Sequence, residues 1–166
     1  NTNLKISIIT VVKNNEKDIE NNIKSLLNQS YDNYEHIIID GGSTDRTTDI
    51  IKKYENNIHY WISENDKGLY DAMNKGIDVA TGDVIGILNS DDIFYKDALL
   101  YVKNYFQEYE NIDFLFGTVI KYKKLFGFNP KKILWSFGFY TSHSVGFFIK
   151  SESQKKLGYY NTKYKY

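Results

Sequence analysis

The sequence predicts an α/β domain whose central sheet is mostly parallel and carries helices on both faces. Short β-branched runs alternate with segments of helical periodicity over the first 100 residues, which is the pattern of parallel strands joined by crossover helices. The runs are almost wholly apolar, as in strands that are buried on both faces. Polar residues follow the ends of several runs, where parallel sheets place their ligand sites.

The first two elements are a strand and a helix. Residues 6–12 form the β-branched run, and Asn15 is predicted to cap the helix that follows, with Asp18 in its first turn. Apolar positions recur at helical spacing and form one stripe, which comprises Ile19, Ile23, Leu26 and Leu27.

A polar turn separates the second strand from the second helix. Residues 36–39 form the strand, and Asp40-Gly41-Gly42 ends it. Ser43 is predicted to cap the helix, whose inward-facing residues are Ile50, Ile51 and Tyr54.

The later elements continue the alternation and then become less regular. In order they are a strand at 58–62, a helix at 69–80, a strand at 84–88, a helix near 98–106, and strand-like segments at 114–122 and 145–149. The packed sides of the two helices are predicted to be Ala72, Met73, Gly76 and Ile77 in one, and Ala98, Leu99, Val102 and Phe106 in the other.

Composition limits the classes of function. The 166 residues suit one domain. The 21 Lys and Arg balance the 21 Asp and Glu, so bulk charge does not favour nucleic acid or anionic lipid as a partner. The lack of cysteine excludes disulfides and thiolate metal sites and suits a reducing, cytoplasmic compartment. No apolar run approaches the roughly 20 residues of a membrane span.

Asp91 and Asp92 directly follow the fourth apolar run. A carboxylate pair at a strand end offers the hard oxygen ligands that suit Mg²⁺ or Mn²⁺ shared with phosphates. A solvated turn, or a helix N-cap, is the alternative.

Asp40 is followed by two glycines, which let a ligand approach the backbone closely. Its carboxylate could accept from a ribose hydroxyl or a base N–H, or it could belong to a turn that starts a helix. The sequence has neither G-x-G-x-x-G after the first strand nor G-x-x-x-x-G-K-[ST], so neither a dinucleotide site nor a P-loop is indicated.

Several ordered segments resemble the family-two inverting glycosyltransferases, which have the GT-A type of fold. D-G-G-S-T-D at 40–45 is similar to the family's D-G-x-S-x-D. A-T-G-D at 80–83, followed by L-N-S-D-D at 88–92, resembles its A-x-G-D…D-x-D-D region. Residues 7–14 resemble the opening strand, and residues 64–76 resemble a subgroup that modifies surface polysaccharides.

The resemblance implies a role for each matching position. The donor is expected to be a nucleoside diphosphate sugar, with UDP as the nucleotide, and the acceptor a glycan or a glycosylated molecule. Mn²⁺ or Mg²⁺ is the implied cofactor. The implied nucleotide site consists of Thr10 and Val11 in the uracil pocket, Asp40 on the base N–H, and Asp66 and Lys67 near ribose and diphosphate. Asp91 would bind the metal, with Asp92 beside it. Asn89 replaces the motif's first Asp.

The resemblance also implies the domain organisation and the reaction. Residues 1–100 would form the nucleotide-binding half of one domain, and residues 101–166 would begin the acceptor-binding half. An acceptor hydroxyl would attack the sugar with inversion, assisted by an Asp or Glu that we expect beyond Tyr166, in a longer chain; His143 is the candidate base within the sequence. The alternatives are a catalytically inactive nucleotide-sugar-binding module and a nucleotidyltransferase.

Overall fold

A computed structural model describes residues 3–117, 119–121, 123–125 and 146–163. Eight strands lie among these residues: β1 (Ile6–Val12), β2 (Tyr34–Asp40), β3 (Tyr60–Ser63), β4 (Val84–Ile87), β5 (Phe114–Phe116), β6 (Val119–Lys121), β7 (Lys123–Leu125) and β8 (Phe147–Lys150). The helices are α1 (Ile19–Leu27), α2 (Thr47–Lys53), α3 (Leu69–Val79), α4 (Ala98–Glu108) and α5 (Ser151–Leu157), with a 3₁₀ turn at Glu55–Asn57.

Six strands form the central sheet in the order β3-β2-β1-β4-β8-β5, and β6 and β7 pair separately. The first four strands are parallel, whereas β8 runs antiparallel to both β4 and β5. The chain proceeds from β1 outward through β2 and β3 and then returns to place β4 on the other side of β1. The strand order therefore reverses between β1 and β4, and a ligand crevice is expected outside the carboxyl ends of these two strands.

Alternate residues of β1 pack on opposite faces of the sheet. Ile6 and Ile8 share a core with residues of α1 and α4, and Val12 shares one with residues of α1 and α2. Ile9 and Val11 pack with residues of α3 on the other face. Helices thus cover both faces of a mostly parallel sheet, which confirms the predicted fold class.

The inward faces of the helices agree with the predicted stripes except at one residue. The buried residues are Ile19, Ile23 and Leu26 on α1, Ile51 on α2, Ala72, Met73 and Gly76 on α3, and Leu99, Val102 and Phe106 on α4. Leu27 is 39% exposed, so the prediction that it belongs to the α1 stripe is wrong.

Both predicted helix caps are also wrong, because the side chains of Asn15 and Ser43 bind elsewhere. α1 begins at Ile19, and the side chain of Asn15 donates to Ser90 instead. α2 begins at Thr47, because Asp45 accepts from the Thr47 N–H at 2.9 Å while the Ser43 hydroxyl donates to Asp40.

The secondary structure of the second half of the chain agrees only in part with the sequence-based prediction. The predicted strand at 114–122 is two short strands, β5 and β6, in different sheets. α5 follows β8 directly and had no counterpart in the sequence-based prediction. In the part of the chain that the structure describes, no helix combines the length and apolarity needed to cross a bilayer.

Candidate functional site

Three loops that follow parallel strands are joined by hydrogen bonds at the carboxyl edge of the sheet. After β1, the Asn14 N–H donates to the Ser43 hydroxyl in the loop after β2, at 2.7 Å. Asn15 Nδ2 donates to Ser90 Oγ in the loop after β4, at 3.0 Å. The Asn15–Ser90 bond spans the switch point between β1 and β4, so the loops that carry Asp40 and Asp91 form one connected rim.

Asp40 ends β2 as a fully buried carboxylate. Its carboxylate accepts from the Ser43 N–H at 2.9 Å, from the Ser63 hydroxyl at 2.6 Å and from the Ser43 hydroxyl. A carboxylate has about four acceptor positions. These three bonds leave one acceptor position of the Asp40 carboxylate for a further donor.

Asp66 lies against the glycines that follow Asp40. A Cβ on Gly41 would overlap the Asp66 carboxylate, and one on Gly42 would overlap the side chain of Asn65. Asp66 also accepts from the Gly68 N–H at 3.0 Å. The absence of side chains after β2 therefore lets the loop after β3 close over that turn and brings the half-buried carboxylate of Asp66 against Gly41, the residue after Asp40.

The loop between β3 and α3 is held to the helix by Lys75. Its ammonium lies 2.7 Å from Glu64 and 3.6 Å from Asp71, and the hydrogen bond to Glu64 and these two charges raise its pKa. Asp71 accepts from the Lys67 N–H at 3.0 Å, and Lys67 itself is exposed. The segment that carries Asp66 and Lys67 is thus fixed at both ends.

Residues 89–92, which we call the carboxylate turn, close with the Asp92 N–H donating to the Asn89 carbonyl at 3.0 Å. Asp91 is exposed, and its carboxylate has no hydrogen-bond or ion-pair partner among the described residues. Asp92 is half-buried. Within the described ranges, no group of three or more His, Cys, Asp or Glu side chains comes together as a metal cage.

Thr10 and Val11 are both buried beneath this rim. The Thr10 hydroxyl lies 2.9 Å from His36 Nε2 and 3.3 Å from Asn22 Oδ1, inside the layer between β1 and α1. The Val11 side chain packs in the α3 core. Neither side chain reaches the rim, so any contact that these two positions make with a ligand is expected to come from their backbone.

Asn22 is the residue that the sequence reading missed. It is fully buried on the inner face of α1, and its amide nitrogen donates to the carbonyls of Asn89 at 2.8 Å and Asp92 at 3.0 Å. A signal was present, because position 22 lies within the stripe formed by Ile19, Ile23 and Leu26. A polar residue inside such a stripe indicates a buried hydrogen-bonding partner.

The last described segment docks on α3. The Asn74 side chain accepts from the Tyr160 N–H at 2.9 Å and donates to the Tyr160 carbonyl at 3.0 Å. The rings of Tyr70 and Tyr160 stack with centroids 5.5 Å apart. His143 lies outside the described residues, as does Tyr166.

The fold and the rim define a GT-A-type α/β protein with carboxylates at its topological switch point. Residues 7–162 match Glycosyl transferase family 2, and the chain belongs to this family. It is 37% identical over 102 residues to a PGL/p-HBAD biosynthesis glycosyltransferase of Mycobacterium bovis, covering 59% of this chain and 40% of the relative. It is 40% identical over 97 residues to a putative teichuronic acid biosynthesis glycosyltransferase, TuaG, of Bacillus subtilis, covering 57% of this chain and 38% of the relative.

Solved structures share the fold at low sequence identity. TarS of S. aureus, residues 1–349 in complex with UDP, has a TM-score of 0.78 at 21% identity, covering 96% of this chain and 51% of that one. The mannosyltransferase PcManGT of Pyrobaculum calidifontis, in complex with GDP-Man and Mn²⁺, has a TM-score of 0.74 at 18% identity, covering 95% and 47%. The chain spans about 40% of the length of the two glycosyltransferase relatives described above.

Proposed function

We propose that this chain forms the donor-binding part of an inverting glycosyltransferase. The reaction moves a sugar from a UDP-sugar to a hydroxyl of a glycan or glycosylated acceptor, with assistance from Mn²⁺ or Mg²⁺. One observation carries the proposal: Asp40 at the end of β2, Asp66 on the loop after β3 and Asp91 on the loop after β4 all belong to a rim that spans the switch point. Open α/β sheets bind their ligands at such a place.

The donor set suits a hard divalent cation that is shared with phosphates. Asp91 and Asp92 offer carboxylate oxygens, and Asp91 is not engaged by any described residue. Mg²⁺ is usually held by one or two carboxylates together with substrate phosphates and water, so a closed protein cage is not required. Asp91 would hold the ion, with Asp92 beside it.

The nucleotide would be held by the remaining rim residues. Asp40 has one acceptor position left, which suits the N3–H of uracil, while the ring nitrogen of cytosine at that position is an acceptor. Asp66 and Lys67 would lie near the ribose and the diphosphate. TarS has been solved with UDP and with UDP-GlcNAc, and these complexes support a uridine nucleotide. PcManGT, solved with GDP-Man, makes GDP the competing donor to test.

Charge separation at the sugar determines what the site must do. Negative charge develops on the leaving diphosphate while the sugar becomes cationic, and a bound divalent ion would neutralise the diphosphate. The chain's own residues orient the nucleotide through Asp40 and Asp66. A carboxylate general base would then take the proton of the acceptor hydroxyl.

Calorimetric titration with nucleotides tests the proposal directly. UDP should bind more tightly with Mn²⁺ than without it, and it should bind more tightly than CDP under the same conditions. GDP serves as the competing nucleotide. Equal affinity for UDP with and without Mn²⁺ would refute the metal-assisted site, and tighter binding of GDP would reassign the donor.

A further inference from the structure

Three polar side chains, two on α1 and one just past its end, bind the chain that follows β4. The Phe94 N–H donates to Ser25 Oγ at 3.2 Å. Gln29 donates to the Tyr95 carbonyl at 2.8 Å and accepts from the Leu99 N–H at 3.0 Å. Asn22, at the end of α1 nearest the rim, binds the carboxylate turn itself. Side chains of α1 and of the segment just after it therefore hold residues 89–99, in addition to turn bonds such as that from the Asp92 N–H to the Asn89 carbonyl.

Asn22 is fixed in a single orientation. Both contacts of its Nδ2 are to carbonyls, which only accept, so the amide nitrogen and oxygen cannot exchange places. Its Oδ1 must then accept from the Thr10 hydroxyl, at 3.3 Å. The Thr10 hydroxyl has one hydrogen, so it accepts in turn from Nε2–H of His36, at 2.9 Å.

This series of hydrogen bonds ends in the core at His36. Burial, together with the charge of the neighbouring His59, lowers the pKa of His36 to about 3, so the ring is neutral and donates through Nε2. All three members, His36, Thr10 and Asn22, are buried. Buried polar networks in which every member is satisfied hold their geometry rigidly.

We propose that Asn22 is a positioning residue which sets the carboxylate turn in its metal-binding geometry before any ligand arrives. The inference rests on the proposed function, because it concerns the turn that carries Asp91 and Asp92. Asp91 has no side-chain partner of its own among the described residues, so the backbone of the turn determines where its carboxylate points. Asn22 holds that backbone at both ends, through the carbonyls of residues 89 and 92.

Mg²⁺ and Mn²⁺ sites make this positioning important. Mg²⁺ demands a near-ideal octahedral geometry, and loss of a group that orients a metal ligand typically weakens metal affinity by about 10- to 100-fold. The Asn22→Leu variant keeps the side-chain size but removes the donor that binds the Asn89 and Asp92 carbonyls, while the Asn89 carbonyl keeps its bond from the Asp92 N–H. Affinity for UDP in the absence of metal should change little, since Asn22 contacts neither Asp40 nor Asp66.

The test compares Asn22→Leu with Gln29→Leu. Both substitutions remove a side-chain amide that binds the chain after β4, but Gln29, two residues past the end of α1, binds residues 95 and 99 and leaves the carboxylate turn untouched. Mn²⁺ affinity in the presence of saturating UDP is measured by calorimetry, and amide hydrogen exchange is followed at Asp92. Asn15→Ala is the second variant, since Asn15 is only half-buried and its bond to Ser90 supports the same turn.

We expect Asn22→Leu to lower Mn²⁺ affinity by about 10- to 100-fold and to speed exchange at Asp92, with unchanged metal-free UDP affinity. Asn15→Ala should produce a smaller loss, and Gln29→Leu should leave Mn²⁺ affinity as it is. If Asn22→Leu folds and keeps wild-type Mn²⁺ affinity, the inference is overturned; should it not fold, the same result with Asn15→Ala overturns it. Failure of the proposed function would be visible in the wild type, as UDP binding without any dependence on Mn²⁺.

Discussion

Ser63, the last residue of β3, donates a 2.6 Å hydrogen bond to the buried carboxylate of Asp40, the last residue of β2. The two residues are also neighbours in the parallel register of the sheet. Asp40 thus links the ends of two strands, and through Ser43 it holds the turn that follows. A residue in this position can act on structure and on a ligand, so an experiment must separate the two roles.

Replacement of Asp40 by Asn should lower the affinity for UDP more than it lowers the affinity for diphosphate alone. The substitution keeps the size of the side chain and removes the charge that would accept from uracil N3–H. A hydrogen bond to a charged group contributes about 1.5–3 kcal/mol, which corresponds to a loss of roughly tenfold or more in UDP affinity. Calorimetry with the two ligands gives the comparison.

Ser63→Ala is the matched control for that experiment. It removes one hydrogen bond to the same carboxylate without changing its charge, so it should lower the free energy of unfolding by about 1 kcal/mol. The ratio of UDP to diphosphate affinity should stay at the wild-type value. If Asp40→Asn lowers the affinities for UDP and for diphosphate equally, the role of Asp40 is purely structural.

The parts of this molecule that could be predicted from sequence are those set by local pattern. The apolar runs of β1, β2 and β4 and the packed stripe of α3 each follow from residues that are adjacent or one helical turn apart. The strand-end positions of Asp40 and Asp91 follow from the same runs. Sheet topology then brings the loops after β2 and β4 to one edge.

The contacts between loops could not be predicted in this way. Asn15 is of a residue type that favours helix N-caps, yet its side chain binds Ser90, which is 75 residues away in sequence. Asp66 comes close to Gly41 only because the loop after β3 folds back over β2. Such pairings depend on tertiary packing, which overrides local capping preference.

Gly41→Ala should displace the Asp66 carboxylate and weaken UDP binding. The added methyl would overlap that carboxylate, and overpacking of this kind costs about 1–3 kcal/mol. The measurement is UDP affinity in a double-mutant cycle with Asp66→Ala. In the Asp66→Ala background, Gly41→Ala should cause no further loss of UDP affinity. An undiminished penalty there would show that Gly41 acts through its backbone instead.

Glu35 should make stability depend on pH in acid. Burial raises the pKa of Glu35, but hydrogen bonds from Lys5, Ser7 and Thr81 outweigh it and lower the pKa from 4.5 to about 2. A lowered folded-state pKa means that the stabilisation is present above pH 4.5 and is lost as pH falls toward 2. Glu35→Gln should therefore destabilise the fold by about 1–3 kcal/mol at pH 7 and by less at pH 3, as measured by urea unfolding.

Glu20→Gln is the control for this pH dependence. The hydrogen bond from Tyr54, with one from Lys53, also lowers the pKa of Glu20 to about 2, but this carboxylate is only half-buried, whereas Glu35 is buried. Water screens such pairs, so the substitution should change stability far less than Glu35→Gln does. Identical effects of the two substitutions would contradict the assignment of the acid sensitivity to the buried Glu35 network.

Asp91→Asn should remove most of the metal-dependent part of UDP affinity and leave the metal-free part intact. Asp91 offers the exposed, unengaged carboxylate of the carboxylate turn, and the loss should exceed the roughly 10- to 100-fold typical of groups that only orient a ligand. Asp97→Asn is the matched control, a carboxylate just before α4 on the same connection. Calorimetry with UDP, with and without Mn²⁺, measures both variants. Equal losses from Asp91→Asn and Asp97→Asn would mean that general negative charge near α4, rather than coordination by Asp91, attracts the ion.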